Sequence, residues 1–150
     1  MRRLGPSFVR PLVVIGLLAA AFASAQTPAT RVLLVLDASG SMYRTLPDGR
    51  TRIAAAKEAL AAFVAQLPAD AGLDVGLRVY GTRIQALDAG ACEDTTLLVP
   101  VAAFDRDALQ TAVRDTQPLG ATPIAYALER AGDDLAAVPG PALIVLVTDG

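Results

Sequence analysis

Val32-Leu33-Leu34-Val35-Leu36-Asp37-Ala38-Ser39-Gly40-Ser41 carries the strongest structural signal in the chain. Five apolar residues in a row, with no polar alternation, predict a strand buried on both faces, as in a parallel sheet covered by helices on each side. The run stops abruptly at Asp37-x-Ser39-x-Ser41. In an open α/β sheet, ligands bind just beyond the carboxyl ends of the strands. One carboxylate and two hydroxyls at alternate positions there can aim three oxygens at one point, a donor set suited to a hard cation such as Mg²⁺.

Outward from this strand, placed at 31–37, the chain alternates strand and helix signals. Pro47-Asp48-Gly49 supplies turn chemistry to a loop over 42–51. Ile53, Ala56, Leu60, Val64 and Leu67 recur at helical spacing, and Pro68 ends that helix. Leu73, Val75, Leu77 and Val79 alternate along a second strand that reaches Tyr80. A loop over 81–94 follows, and Thr95 opens a short edge strand expected to end at Pro100. Phe104 and Leu109 flank Asp105 with the spacing of a hydrophobic staple around an N-cap, predicting a helix from Arg106 to about Thr116. Thr122 before Pro123 reads as the N-cap of a further helix whose buried stripe is Ile124, Leu128, Ala131 and Leu135. Ala142 to Thr148 is a second apolar strand, closed by Asp149-Gly150. This alternation implies right-handed crossovers and an α/β, doubly wound, mainly parallel sheet with helices on both faces.

The amino terminus has a different character. Arg2, Arg3 and Arg10 precede or border an apolar run over 12–22, and Ala23-Ser24-Ala25 is an A-x-A cleavage signal. The apolar run is about half the roughly 20 residues a membrane span needs, so residues 1–25 read as a cleaved signal peptide rather than an anchor. Residues 26–30 are then a short leader, and the product is expected to be exported to periplasm, cell surface or medium. Removing the three arginines leaves 10 basic side chains against 15 acidic ones, a net charge of −5. The remaining cations are scattered without interleaved aromatics, which argues against nucleic acid as a partner. The length of 150 residues suffices for one domain. A bare apolar edge on the last strand would be an aggregation hazard. Residues 31–150 are therefore expected to be the front portion of a larger domain, truncated after its fourth core strand.

Asp37, Ser39 and Ser41, then Thr122, then Asp149 would share one carboxyl-end rim if their strands are adjacent. Each also has a plain structural reading: an Asp/Ser turn bonded to its own backbone, an N-cap, and a strand-ending turn. As an ordered set, the five residues resemble the metal-ion-dependent adhesion site of a von Willebrand factor type A domain. Val79-Tyr80-Gly81, Gly120-Ala121-Thr122-Pro123 and Thr148-Asp149-Gly150 are similar to segments of bacterial exported members. The resemblance spans about residues 31–150 and lacks the family's final strands and helices. It implies a protein-binding module in which Mg²⁺, with Mn²⁺ as a substitute, is held by Asp37, Ser39, Ser41, Thr122 and Asp149. The ion would be completed by a carboxylate from a protein partner. It also implies that Thr122 ligation can be coupled to movement of the helix it opens. The sole cysteine, Cys92, would on this resemblance pair with a cysteine beyond Gly150; a tolerated free thiol is the alternative.

Two other functions compete. Asp37 could act as the nucleophile of a metal-dependent phosphohydrolase. However, Ser39 stands where a second acid would be expected, the chain has no histidine, and no Gly-x-x-x-x-Gly-Lys phosphate loop is present. The other alternative is a metal-free scaffold for protein assembly. Elsewhere, Asp88, Glu93 and Asp94 fit no calcium loop and read as solvated acids. Arg78 and Arg83 read as ordinary strand-edge charges.

Overall fold

The computed structural model describes residues 29–69, 72–137 and 139–150. Residues 1–25, read above as a signal peptide, and residues 26–28 of the leader lie outside the described residues. The apolar run becomes strand β1 (Thr30–Asp37), followed by a 3₁₀ turn over Gly40–Tyr43 and helix α1 (Arg52–Gln66). Next come β2 (Leu73–Tyr80), a 3₁₀ turn over Ala91–Glu93, β3 (Thr95–Ala103), α2 (Arg106–Asp115), α3 (Ile124–Ala136) and β4 (Ala142–Val147). The strands form one sheet in the order β3-β2-β1-β4. β1 is parallel to both β2 and β4, while β3 runs antiparallel to β2.

The unbroken apolar character of β1 follows from its position. Val32, Leu34 and Leu36 pack on one face with Ile53, Leu60 and Val64 of α1 and Leu109 and Val113 of α2. Leu33 and Val35 pack on the other with Ala127, Ala131 and Leu135 of α3. Both side-chain sets of a period-2 strand are thus withdrawn from water, each fully buried Leu contributing about 1.5–3 kcal/mol. Among the described strands, β4 has β1 as its sole neighbour, and Leu143 is 53% exposed.

Local chemistry sets the helix ends. The Thr51 hydroxyl accepts from the Ala54 amide at 3.3 Å, and the Asp105 carboxylate accepts from the Ala108 amide at 3.0 Å. Asp107 in the first turn of α2 and Arg114 in its last complement the helix dipole. The helix after Thr122 starts later than the sequence suggested. Ile124 is its first residue, Pro123 occupies the cap position, and no side chain caps it. Thr122 contributes its carbonyl to the Ile124 amide at 2.9 Å.

Three further expectations are corrected. β3 does not stop at Pro100 but runs through it to Ala103. Pro100 is exposed on an outer strand, and two register shifts place extra β3 residues opposite β2. A bulge at an edge tolerates the missing amide, which is why proline does not break the strand there. Arg78 is not an edge charge. It is buried on β2 and donates to both Asp134 oxygens at 2.7 and 3.0 Å, fastening β2 to α3. Asp94 is not solvated either. It is fully buried and accepts from the Arg83 and Ile84 amides at 2.8 and 3.0 Å and from the Arg83 side chain at 3.0 Å. Burial would raise the Asp94 pKa, but those donors outweigh it and hold the carboxyl below its ordinary range. No helix among the described residues is long and apolar enough to cross a membrane.

Candidate functional site

The carboxyl ends of β1 and β4 are adjacent because the two strands pair in parallel, Leu36 opposite Val147. That register carries Asp37 and Asp149 to the same rim. Asp37 is fully buried, and the chain turns back over it: Oδ1 accepts the Ser39 amide at 2.7 Å. Its Oδ2 accepts the Thr148 hydroxyl at 2.7 Å. Ser39 Oγ lies 3.1 Å from Ser41 Oγ, and the Ser41 hydroxyl donates to Asp149 Oδ1 at 2.9 Å. Four of the five expected residues, Asp37, Ser39, Ser41 and Asp149, are thereby joined in one polar network.

Thr122 is placed differently. Its segment is sewn to the same rim through the backbone: Gly40 donates to Gly120 at 2.9 Å, Leu119 to Ala38 at 3.0 Å, and Gly120 to Gly81 at 2.8 Å. The Thr122 side chain itself is exposed, and its hydroxyl has no hydrogen bond among the described residues. The loop contacts are too tight for side chains at two points. Gly81 has φ of +73°, and a Cβ there would meet the Ala121 carbonyl oxygen at 2.6 Å and Ser39 Cα at 2.9 Å. A Cβ at Gly120 would collide with the Ile84 carbonyl.

Three residues of the site were not found from the sequence. Thr148 anchors Asp37; parallel pairing of the two apolar strands would have pointed to it, since each strand ends at the same rim. Arg52 pairs with Asp149 Oδ2. It opens α1, and a helix that follows a strand begins at that strand's carboxyl end, so its place was open to the same reasoning. Tyr80 ends β2 with its ring fully buried, and its hydroxyl has no hydrogen-bond partner among the described residues. Burial pushes the Tyr80 phenol pKa up, and the neighbouring Asp37 and Asp149 carboxylates add to that shift. It is a neutral group at any physiological pH.

For Asp149, burial acts to raise the pKa, but the Arg52 guanidinium and the Ser41 hydroxyl more than compensate, so the carboxyl titrates below its ordinary range. The network gathers oxygen donors only, two carboxylates with the hydroxyls of Ser39 and Ser41, and the Thr122 hydroxyl makes no hydrogen bond to it. Among the described residues there is no group of three or more His, Cys, Asp or Glu side chains placed to hold a metal. A soft-metal site and a carboxylate-rich calcium cage are therefore poor descriptions of this rim. The Ser41 hydroxyl donates to Asp149, so the proton between the two serines comes from Ser39; one Ser41 lone pair accepts it and the other stays open, as ligation of a hard cation through a neutral hydroxyl requires. The residues present fit a Mg²⁺-type ion.

The family model described as the von Willebrand factor type A domain matches residues 32–150. The chain belongs to that family. No curated protein matches it. Solved structures similar to this type A domain include the vWF domain of the type V pili tip protein Mfa5 from Porphyromonas gingivalis. That structure is 22% identical with a TM-score of 0.65, over 84% of this chain and 39% of that one. The PilB minor pilin from Streptococcus sanguinis is 19% identical with a TM-score of 0.66, over 84% of this chain and 31% of that one. An uncharacterized membrane spanning protein from Vibrio fischeri is 24% identical with a TM-score of 0.55, over 73% of this chain and 52% of that one. At such identities the likeness is one of fold. The type A domain spans about half, or less, of the length of each of these chains.

Proposed function

We propose that this type A domain is an exported binding module that recognises an acidic side chain of a protein partner through a divalent cation. The observation that carries the reading is the network Asp37–Ser39–Ser41–Asp149, in which the Ser41 proton is already committed to a carboxylate. Asp37, Ser39, Ser41, Thr122 and Asp149 would hold Mg²⁺, or Mn²⁺ in its place. When bound, the ion supplies an electrophilic position that a partner carboxylate can fill. The chain's own residues do the rest. Asp37 and Asp149 balance charge, Thr148 and the Ser39 amide fix Asp37, and the Gly81–Gly120 contacts keep the Thr122 segment against the serines.

Export is supported by the signal-peptide pattern of residues 1–25, and a binding role by fold neighbours that are a pilus tip protein and a minor pilin. The phosphohydrolase alternative is disfavoured by the residues available to assist Asp37. Asp37 has Ser39, not a second acid, beside it, and the chain has no histidine to act as general base.

Calorimetric titration of Mg²⁺ and Mn²⁺ into the protein, beside Ser39→Ala, tests the reading. Saturable binding weakened at least about tenfold by the substitution is the expected result, as loss of a direct ligand predicts. A cooperatively folded protein that binds neither ion would overturn it and favour the metal-free scaffold.

A further inference from the structure

We infer that Arg52 sets the charge of the candidate site, weakening its hold on a bare cation and so reserving tight binding for the cation together with an anionic partner group. The inference rests on the metal-binding reading above and deepens it. Arg52 is the first residue of α1, and its guanidinium pairs through one nitrogen, Nη1, with Asp149 Oδ2. The other Asp149 oxygen is taken by the Ser41 hydroxyl. Asp149 thus has a positive charge on one side and the network of serines on the other. The carboxylate is only 8% exposed, whereas Arg52 is 32% exposed in an open cleft of about 370 Å³ that it lines with Met42, Leu46, Ala56, Val147, Thr148 and Asp149. The pair therefore places a positive charge against a largely buried carboxylate while the Arg52 side chain keeps some contact with solvent.

The consequence is one of charge balance. Asp37 and Asp149 alone would neutralise a divalent ion. With Arg52 against Asp149 the side chains carry a single net negative charge, so the loaded site keeps one positive charge. Burial of that excess charge disfavours the bare ion and favours any ligand that brings a carboxylate. The binding of cation and anion is then mutually reinforcing, since each must raise the affinity of the other by the same factor.

The test is calorimetric titration of Mn²⁺ into wild type, Arg52→Gln and Arg52→Lys, with and without acetate, with Ser39→Ala alongside. Arg52→Gln is expected to bind Mn²⁺ on the order of tenfold more tightly than wild type, from removal of one nearby like charge. Acetate is expected to tighten Mn²⁺ binding in wild type and to do so less in Arg52→Gln. Arg52→Lys should stay within about threefold of wild type, because the pair uses a single nitrogen and needs charge rather than a planar fork. Mn²⁺ binding by wild type that Arg52→Gln leaves equal or weaker, in a protein that melts cooperatively, would overturn this inference alone. Binding by none of the proteins would overturn it together with the site reading.

Discussion

Ser41 and Asp149 are 108 residues apart in the chain, yet the serine hydroxyl donates to the aspartate Oδ1 at 2.9 Å. This single bond joins the loop after the first strand to the end of the last, and it settles where the Ser41 proton goes. A serine whose proton is spent on a carboxylate presents lone pairs outward; one whose proton is free must reorient first.

Ser41→Ala should therefore act on two levels. The lost hydrogen bond, made to a charged acceptor, is expected to cost about 1.5–3 kcal/mol of stability in chemical denaturation. Mn²⁺ affinity should fall by more than that of a control substitution of equal stability cost in the core. Equal losses in the two would show that Ser41 supports the fold and nothing more.

Thr122 and Asp105 offer a contrast between a hydroxyl that caps nothing and a carboxylate that caps a helix. Asp105 accepts from Ala108 at 3.0 Å, so Asp105→Ala should cost about 1 kcal/mol and lower Tm. Thr122 is exposed, and its hydroxyl bonds to no described residue, so Thr122→Ala should leave stability within about 0.5 kcal/mol while weakening cation binding. A large fall in Tm for Thr122→Ala would restore the cap that the sequence suggested.

Gly81→Ala meets two obstacles together. The residue sits at φ of +73°, and the new Cβ would lie 2.6 Å from the Ala121 carbonyl oxygen and 2.9 Å from Ser39 Cα. The backbone must give way, at a cost of roughly 1–3 kcal/mol, measurable as a shift of the denaturation midpoint. Because Ser39 is one of the atoms displaced, cation binding should weaken as well. Gly49 also has positive φ but nothing within 4 Å, so Gly49→Ala should show the backbone strain without the loss of binding.

Asp94 predicts a pH dependence that sits outside the candidate site. Its folded pKa is depressed below the value of the unfolded chain, by two backbone amides and the Arg83 side chain acting against burial. Its contribution to stability is thus fully present above the unfolded value of about 3.9 and is lost as pH falls through the folded pKa. Asp94→Asn should lower stability near neutral pH by about 1–3 kcal/mol, and the gap from wild type should narrow on acidification below about pH 4. A gap that stays constant down to the acid transition would show that the carboxylate's charge is not what orders residues 83 and 84.

Short-range pattern was legible in the amino-acid sequence, apart from the start of α3 and the end of β3. The apolar runs at 32–36 and 143–147, the helical spacing of Ile53 to Val64, and the staple around Asp105 each depend on periods of a few residues, and each element stands where that period puts it. The Asp37-x-Ser39-x-Ser41 turn was legible for the same reason. Relations in which distant chain segments meet depended on packing. Pro100 had already marked β3 as an edge strand, but its continuation to Ala103 depended on two register shifts against β2, which no local signal reveals. The charges of Arg78 and Asp94 read as surface features because charged residues usually are. Their partners, Asp134 on α3 and the amides of Arg83 and Ile84, compensate burial only once the chain has closed on itself. Arg52 beside Asp149 is the clearest case. A cation 97 positions away in sequence alters the charge of the rim, and that alteration exists only because β1, β4 and the start of α1 are packed at one end of the sheet.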